Sequence, residues 1–363
     1  MSTSPAETKS LLGHEHAETE FKRAFDTGRI HHSLLITGDM GIGKATFAYR
    51  AARYVFAHNK RCASDSQTLL LDMPADSTQS EPETSLWSDD DSDEYASHDD
   101  SPQTAQISAA TDNSPLAIPP NHPVFERMLS GGILDFKVVE RGYSDADRTK
   151  RRGEITVEQI RDLKEFFTTT PSEEGFRVAL IDSMDEVNEA GQNAILKLLE
   201  EPPKDTILML VTHNPRSVLS TIRSRCRTIR LGAVGEHDMR SLMDAHLPNL
   251  PPENRAATLE FARGSIGRAI RFANANGAEI ARMVAARDMR RLGALSANQE
   301  AFRIISELVL DEISDRAKKE PSDGVFRLYD EVSARLGEVL EINLDPTASL
   351  IGIFERINSV AKY

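Results

Sequence analysis

The sequence predicts an α/β fold: a parallel sheet built around a phosphate-binding loop, followed by an all-helical tail. Three observations lead there. Five short apolar runs alternate with helical patterns as far as residue 231. A glycine-rich segment stands between the first of these runs and the helix that follows it. Beyond about residue 234 no strand signal survives and only helical periodicity is left.

Taken in order, Ser33-Leu-Leu-Ile-Thr37 is a short apolar run with a β-branched end and reads as a buried strand. After the glycine-rich segment, Phe47, Ala48, Ala51, Ala52 and Val55 recur at helical spacing and give one apolar helix face. Residues 136–140 form the second strand. The spacing of Val157, Ile160, Leu163 and Phe167 predicts a helix over 156–167, with Thr156 and Gln159 placed as a capping box. Strand 177–182 ends in an acid, Asp182. Helix 188–201 turns Ala190, Ala194, Ile195, Leu198 and Leu199 inward and is stopped by Pro202-Pro203. Residues 207–212 and 228–231 supply the last two strands. Apolar strands separated by helices imply a parallel sheet covered on both faces. Helical patterns then fit 236–246, 253–262, 265–275, 278–292, 298–318, 324–341 and 346–361.

The chain has 363 residues, 43 Lys plus Arg, 57 Asp plus Glu and a formal net charge of -14. The segment from Cys62 to Glu126 contains 14 of the acids and no Lys or Arg, so it carries the whole net charge. Elsewhere the 43 basic residues meet an equal number of acids. The same segment holds 11 Ser and the runs Asp89-Asp90-Asp91 and Asp99-Asp100. So polar a stretch buries too little apolar surface to offset its ordering entropy, and residues 64–120 are expected to be a disordered insertion. An acidic docking arm is the alternative. The acidic total therefore says nothing about DNA, although no basic surface coats the chain as a whole. Two cysteines, Cys62 and Cys226, exclude a disulfide framework and fit a reducing cytoplasm. No membrane span is expected, and the N-terminal residues do not read as a secretory signal.

The chemistry is concentrated in three places. Gly38-Asp-Met-Gly-Ile-Gly-Lys44-Ala-Thr46 lies between strand and helix, the context of a phosphate-binding loop. Gly38, Gly41 and Gly43 let backbone N–H groups close on phosphate oxygens, while Lys44 and the helix N-terminus add positive charge. A hydroxyl residue should follow the lysine to hold Mg²⁺, and here that residue is Ala45; Thr46 comes one place later, about 100° round the helix. The strand end resembles the second acidic motif of P-loop ATPases, with Asp182 where their metal-linked acid sits. The next residue, a glutamate base in active ATPases of the nucleic-acid-remodelling class, is Ser183 here, and Asp185 lies past the strand end and is not expected to substitute. The third place is Ser224-Arg225-Cys226, within the basic run Arg216, Arg223, Arg225, Arg227 and Arg230. An exposed arginine there can stabilise the charge on a phosphate held by a neighbour.

The blocks Gly13-His-Glu, Arg29-Ile-His-His-Ser-Leu-Leu-Ile-Thr-Gly38, Asn193-Ala-Ile-Leu-Lys-Leu-Leu-Glu-Glu-Pro-Pro203, Ser224-Arg-Cys226 and Gly264-Ser-Ile-Gly-Arg268 occur in this order. Together they resemble the AAA+ clamp-loader subunits of bacterial DNA polymerase III, most closely the delta-prime branch. The resemblance covers 11–61 and 122–275 well, and the last helices by arrangement only. It implies an AAA+ P-loop domain over 1–232 with sheet order 5-1-4-3-2, a helical lid over 233–277 and an all-α collar over 278–363. It implies that Arg225 is an arginine finger acting in trans, that Thr212 to Asn214 is the sensor-1 region, and that Arg268 is the sensor-2 arginine of a nucleotide site. Implied partners are the delta and gamma/tau subunits, the sliding clamp and, through the assembly, primer–template DNA. Implied too is a place in the polymerase III holoenzyme. Ala45 and Ser183 depart from hydrolytic members, so ATP binding is expected to be weak or vestigial and the chain's own ATPase absent. A hydrolysing, gamma/tau-like motor subunit is the alternative. Some members carry a four-cysteine zinc module after the loop helix; only Cys62 is present there, and no zinc is expected.

Overall fold

The structure is a computed structural model that describes residues 4–58, 114–119, 121–142, 153–172, 175–342 and 345–360. Five strands form its sheet: β1 (Ser33–Thr37), β2 (Phe136–Val139), β3 (Arg177–Asp182), β4 (Thr206–Thr212) and β5 (Arg227–Arg230). Around and after them run the helices α1 (Glu15–Asp26), α2 (Lys44–Ala57), α3 (Val124–Leu129), α4 (Val157–Thr168), α5 (Glu189–Glu200), α6 (Ser220–Arg223), α7 (Glu236–His246), α8 (Pro252–Ala262) and α9 (Ile266–Asn274). The C-terminal helices are α10 (Gly277–Ala285), α11 (Met289–Ser296), α12 (Gln299–Lys319), α13 (Asp323–Ile342) and α14 (Pro346–Val360).

The strands lie in the order β2-β3-β4-β1-β5 and every pair is parallel, which is the expected order read from the other edge. Successive side chains on a strand point to opposite faces. On β4, Ile207, Met209 and Val211 therefore enter one core, with α1 and α2, while Leu208 and Leu210 enter the other, with α4 and α5. On β3, Val178 and Leu180 face the first core, and Ala179 and Ile181 the second. Two-sided burial is why these strands read as unbroken apolar runs.

Local chemistry sets the helix starts. The Thr156–Gln159 capping box forms, and Asn188 caps α5 by accepting the Gly191 N–H at 2.9 Å. The single helix expected over 278–292 is instead two. Arg287 adopts a left-handed φ of 54°, and Asp288 restarts the chain as α11 by accepting from the Arg291 N–H at 3.2 Å. Helices α1, α3 and α6 were not among the expected elements.

The insertion expected over 64–120 lies outside the described residues as far as 113. Its expected end needs correction, because 114–119 is packed onto the fold. Leu116 is buried in the α2 core, and Ser114 is hydrogen-bonded to Arg50, which in turn pairs with the wholly buried Glu18 at 2.7 Å. Leu116, Ile118 beside it and a satisfied buried ion pair fix this short stretch. Cys62 is likewise outside the described residues.

Past β5, α7, α8 and α9 share a small core of Val234, Met239, Met243, Ala262 and Ala269. Phe261 and Phe272 stack at 4.4 Å and belong to the larger core that continues through α10 to α14. None of the described helices is long and apolar enough to cross a membrane.

Candidate functional site

A cavity of about 450 Å³ opens where the glycine-rich loop meets the C-terminal ends of β2 and β3. In open parallel sheets, ligands bind at this edge. The loop lies between β1 and α2, so the first turn of α2 meets the cavity end-on, and both Ala45 and Thr46 border it. Gly41 (φ 77°) and Gly43 (φ 108°) take backbone angles that L side chains rarely adopt, which explains glycine at both places. Gly38 stands behind the loop, where a Cβ would come within 2.5 Å of the Leu231 carbonyl.

Lys44 is buried, and its Nζ donates to the loop's own carbonyls, Gly38 O at 2.8 Å and Asp39 O at 2.7 Å. Burial lowers its pKa, opposed by the charges of Asp185, Asp182 and Asp39. From behind, His14 in the Gly13-His-Glu block contacts the Ile42 carbonyl through Nε2 at 2.9 Å. In front, the start of α9 docks on the loop. Ser265 Oγ donates to Met40 O at 2.9 Å and the Gly267 N–H to Gly41 O at 2.9 Å. A Cβ on Gly267 would lie 2.6 Å from the Gly41 Cα, so only two glycines allow this approach.

Five of the expected residues, Gly41, Gly43, Lys44, Thr46 and Asp182, border the cavity together with Ser183 and Glu140. The others do not. Thr212 and Asn214 are occupied by Asp185, which accepts from Thr212 Oγ1 (2.9 Å), His213 N (2.8 Å), Asn214 N (3.0 Å) and Ser217 Oγ (3.1 Å) and pairs with His213 Nδ1 at 2.9 Å. Burial alone would raise the Asp185 pKa, but the donors from His213 and Thr212 outweigh it and hold the carboxyl well below the usual carboxylate range. An ionised, fully engaged carboxylate is a poor general base. Arg268 lies over the Phe261 ring, away from the cavity, with Nε 3.2 Å from Glu307 and Nη2 2.9 Å from Asp311 on α12. Arg225 sits in the turn between α6 and β5; Ser33 Oγ donates to its carbonyl at 2.8 Å, and its side chain is partly exposed.

Sequence reasoning passed over His14, Ser265 and Gly267 as site residues although all three lie inside blocks that carried the resemblance. Their signal was position in a block, without any chemistry of their own. Glu140 gave no signal, and Asp185, set aside as a general base, gave none of its role in tying the β3 end to the segment after β4. The described residues include no group of His, Cys, Asp and Glu that could hold a metal ion.

The family model described as DNA polymerase III, delta subunit, matches residues 119–234. DNA polymerase III subunit delta' of Pseudomonas aeruginosa is 36% identical over 111 residues, covering 31% of this chain and 34% of that one. DNA polymerase III subunit gamma of Buchnera aphidicola is 24% identical over 270 residues, 73% of this chain and 57% of that one. DNA polymerase III subunit tau of Escherichia coli is 26% identical over 271 residues, 73% of this chain and 32% of that one. The chain thus spans about a third to somewhat over half the length of these relatives. A glycine-rich loop opening α2, the sheet order 5-1-4-3-2 and these matches make the chain similar to the gamma, tau and delta' subunits of DNA polymerase III.

Proposed function

We propose that the chain is a non-hydrolytic, delta-prime-type subunit of the polymerase III clamp loader. One observation carries this reading: the cavity is bordered by Ala45 and Ser183 at the two positions where hydrolysis needs a metal-holding hydroxyl and a general base. Asp185, the next carboxylate along the chain after Asp182, is consumed by the segment after β4. Its own nucleotide site, formed by the loop, Lys44, Thr46 and Asp182, is weak or vestigial. Arg225 acts as an arginine finger towards ATP on a neighbouring motor subunit; its partly exposed turn beside edge strand β5 supports this. The lid is proposed to span 233–277 and the collar 278–363, through which the delta and gamma/tau subunits assemble. Loading of the sliding clamp onto primed DNA then uses the partners' ATP, with this chain contacting DNA only within the assembly.

The test is ATP hydrolysis by the purified chain with Mg²⁺ and primed DNA. The expected result is no turnover above background. Turnover that is stimulated by DNA and lost on Lys44→Ala would instead establish a gamma/tau-like motor, a reading that the longer matches to gamma and tau keep in play.

A further inference from the structure

We propose that Glu200 is a restraint on Arg225, parking the guanidinium on its own subunit until a neighbour's phosphate displaces the carboxylate. This rests on the finger reading above. Glu200 is the last residue of α5 and the first glutamate of the Leu-Leu-Glu-Glu-Pro-Pro block. Its Oε1 lies 3.1 Å from Arg225 Nη2, and Arg225 Nη1 donates to the Thr221 carbonyl, one turn back, at 3.0 Å. Both contacts fold the side chain back against α5 and α6, so a guanidinium held this way does not extend from the subunit.

The backbone beneath it is fixed. The Arg225 N–H donates to Ile222 O, the Cys226 N–H to Arg223 O, and Ser33 Oγ to the Arg225 carbonyl. Release is then a side-chain event. Arg225 is 39% exposed and Glu200 51%, so the ion pair can open without disturbing either core. An exposed pair is weak, screened by salt, and readily exchanged for a charge-assisted bond to phosphate. The two most specific blocks of the sequence, Leu-Leu-Glu-Glu-Pro-Pro and Ser-Arg-Cys, thereby become one device: the first holds what the second presents.

The test uses the reconstituted clamp-loader complex carrying this chain as wild type, Glu200→Gln, Glu200→Ala, Arg225→Ala or the Glu200→Gln/Arg225→Ala double variant. The ATP dependence of hydrolysis is measured in low and in 1 M salt. In low salt, both Glu200 variants are expected to lower the KM for ATP by about two- to fivefold at unchanged kcat, the range of an exposed ion pair. The difference should vanish in 1 M salt, where the Debye length is about 3 Å. Arg225→Ala should lower kcat, and the double variant should match it. If Arg225→Ala leaves the kinetics unchanged, the finger reading fails and the restraint with it. If Arg225→Ala lowers kcat while the Glu200 variants behave as wild type, or lower kcat themselves, the finger stands and the restraint is overturned.

Discussion

Asp185 lies just past the strand that ends in Asp182, close enough to a catalytic position to be mistaken for a base. Its four hydrogen-bond donors instead make it the pin that ties the β3 end to the turn after β4. Replacement by Asn removes the charge and turns an amide N–H₂ towards these donors. Asp185→Asn should cost ~2–3 kcal/mol at neutral pH by denaturant unfolding, in the range of hydrogen bonds to a charged group. Because the folded pKa is depressed, this contribution is complete above the unfolded value of ~4 and is lost as pH falls towards the folded value. The gap between wild type and variant should therefore narrow at pH 3; an equal gap at pH 3 and pH 7 would show that the ionised carboxylate is not the cause. At this scale the sequence was legible where chemistry is local. Lys44, Ala45, Asp182 and Ser183 announce themselves through motif and spacing. Asp185 did not, because its donors come from 27 to 32 residues further along the chain.

The strands were read to within a residue; in β1, β3 and β4 two-sided burial leaves continuous apolar runs, whereas the edge strands β2 and β5 are more exposed. Helix α10 was run into α11 because Ala285-Ala286 continues the helical pattern, and the left-handed turn at Arg287 carries no glycine to mark it. The docking of α9 on the loop was not legible at all: it depends on the missing side chains of two glycines 226 residues apart. At a helix position, alanine is normally preferred to glycine by ~1 kcal/mol. Gly267→Ala should nevertheless lower stability by ~1–3 kcal/mol, as overpacking does, and should speed hydrogen exchange of the residue-267 amide. A raised melting temperature would mean that helix propensity outweighs the contact.

At the scale of the molecule, Arg268 joins α9 to α12 through Glu307 and Asp311, while Arg263 adds Asp311 and Asp315, and Arg271 adds Glu307. This cluster lies between the helices that touch the loop and the long C-terminal helices. The resemblance gave Arg268 to a phosphate, whereas the structure gives it to two acids some forty residues downstream that no local pattern connects to it. Arg268→Ala should cost ~1–2 kcal/mol through the lost bonds to two partly buried acids, which keep Arg263 and Arg271 as partners, and should leave any binding of a fluorescent adenine nucleotide unchanged. Weaker nucleotide binding at unchanged stability would return the arginine to the nucleotide.

The contact between Gly41 and Gly267 also bears on inheritance. A Cβ on either would meet the other's backbone, so glycine at one position makes no room for a side chain at the other. In a library randomising both, survivors should keep glycine at both positions unless α9 shifts away from the loop. The two codons would then appear as jointly fixed positions and not as a compensating pair.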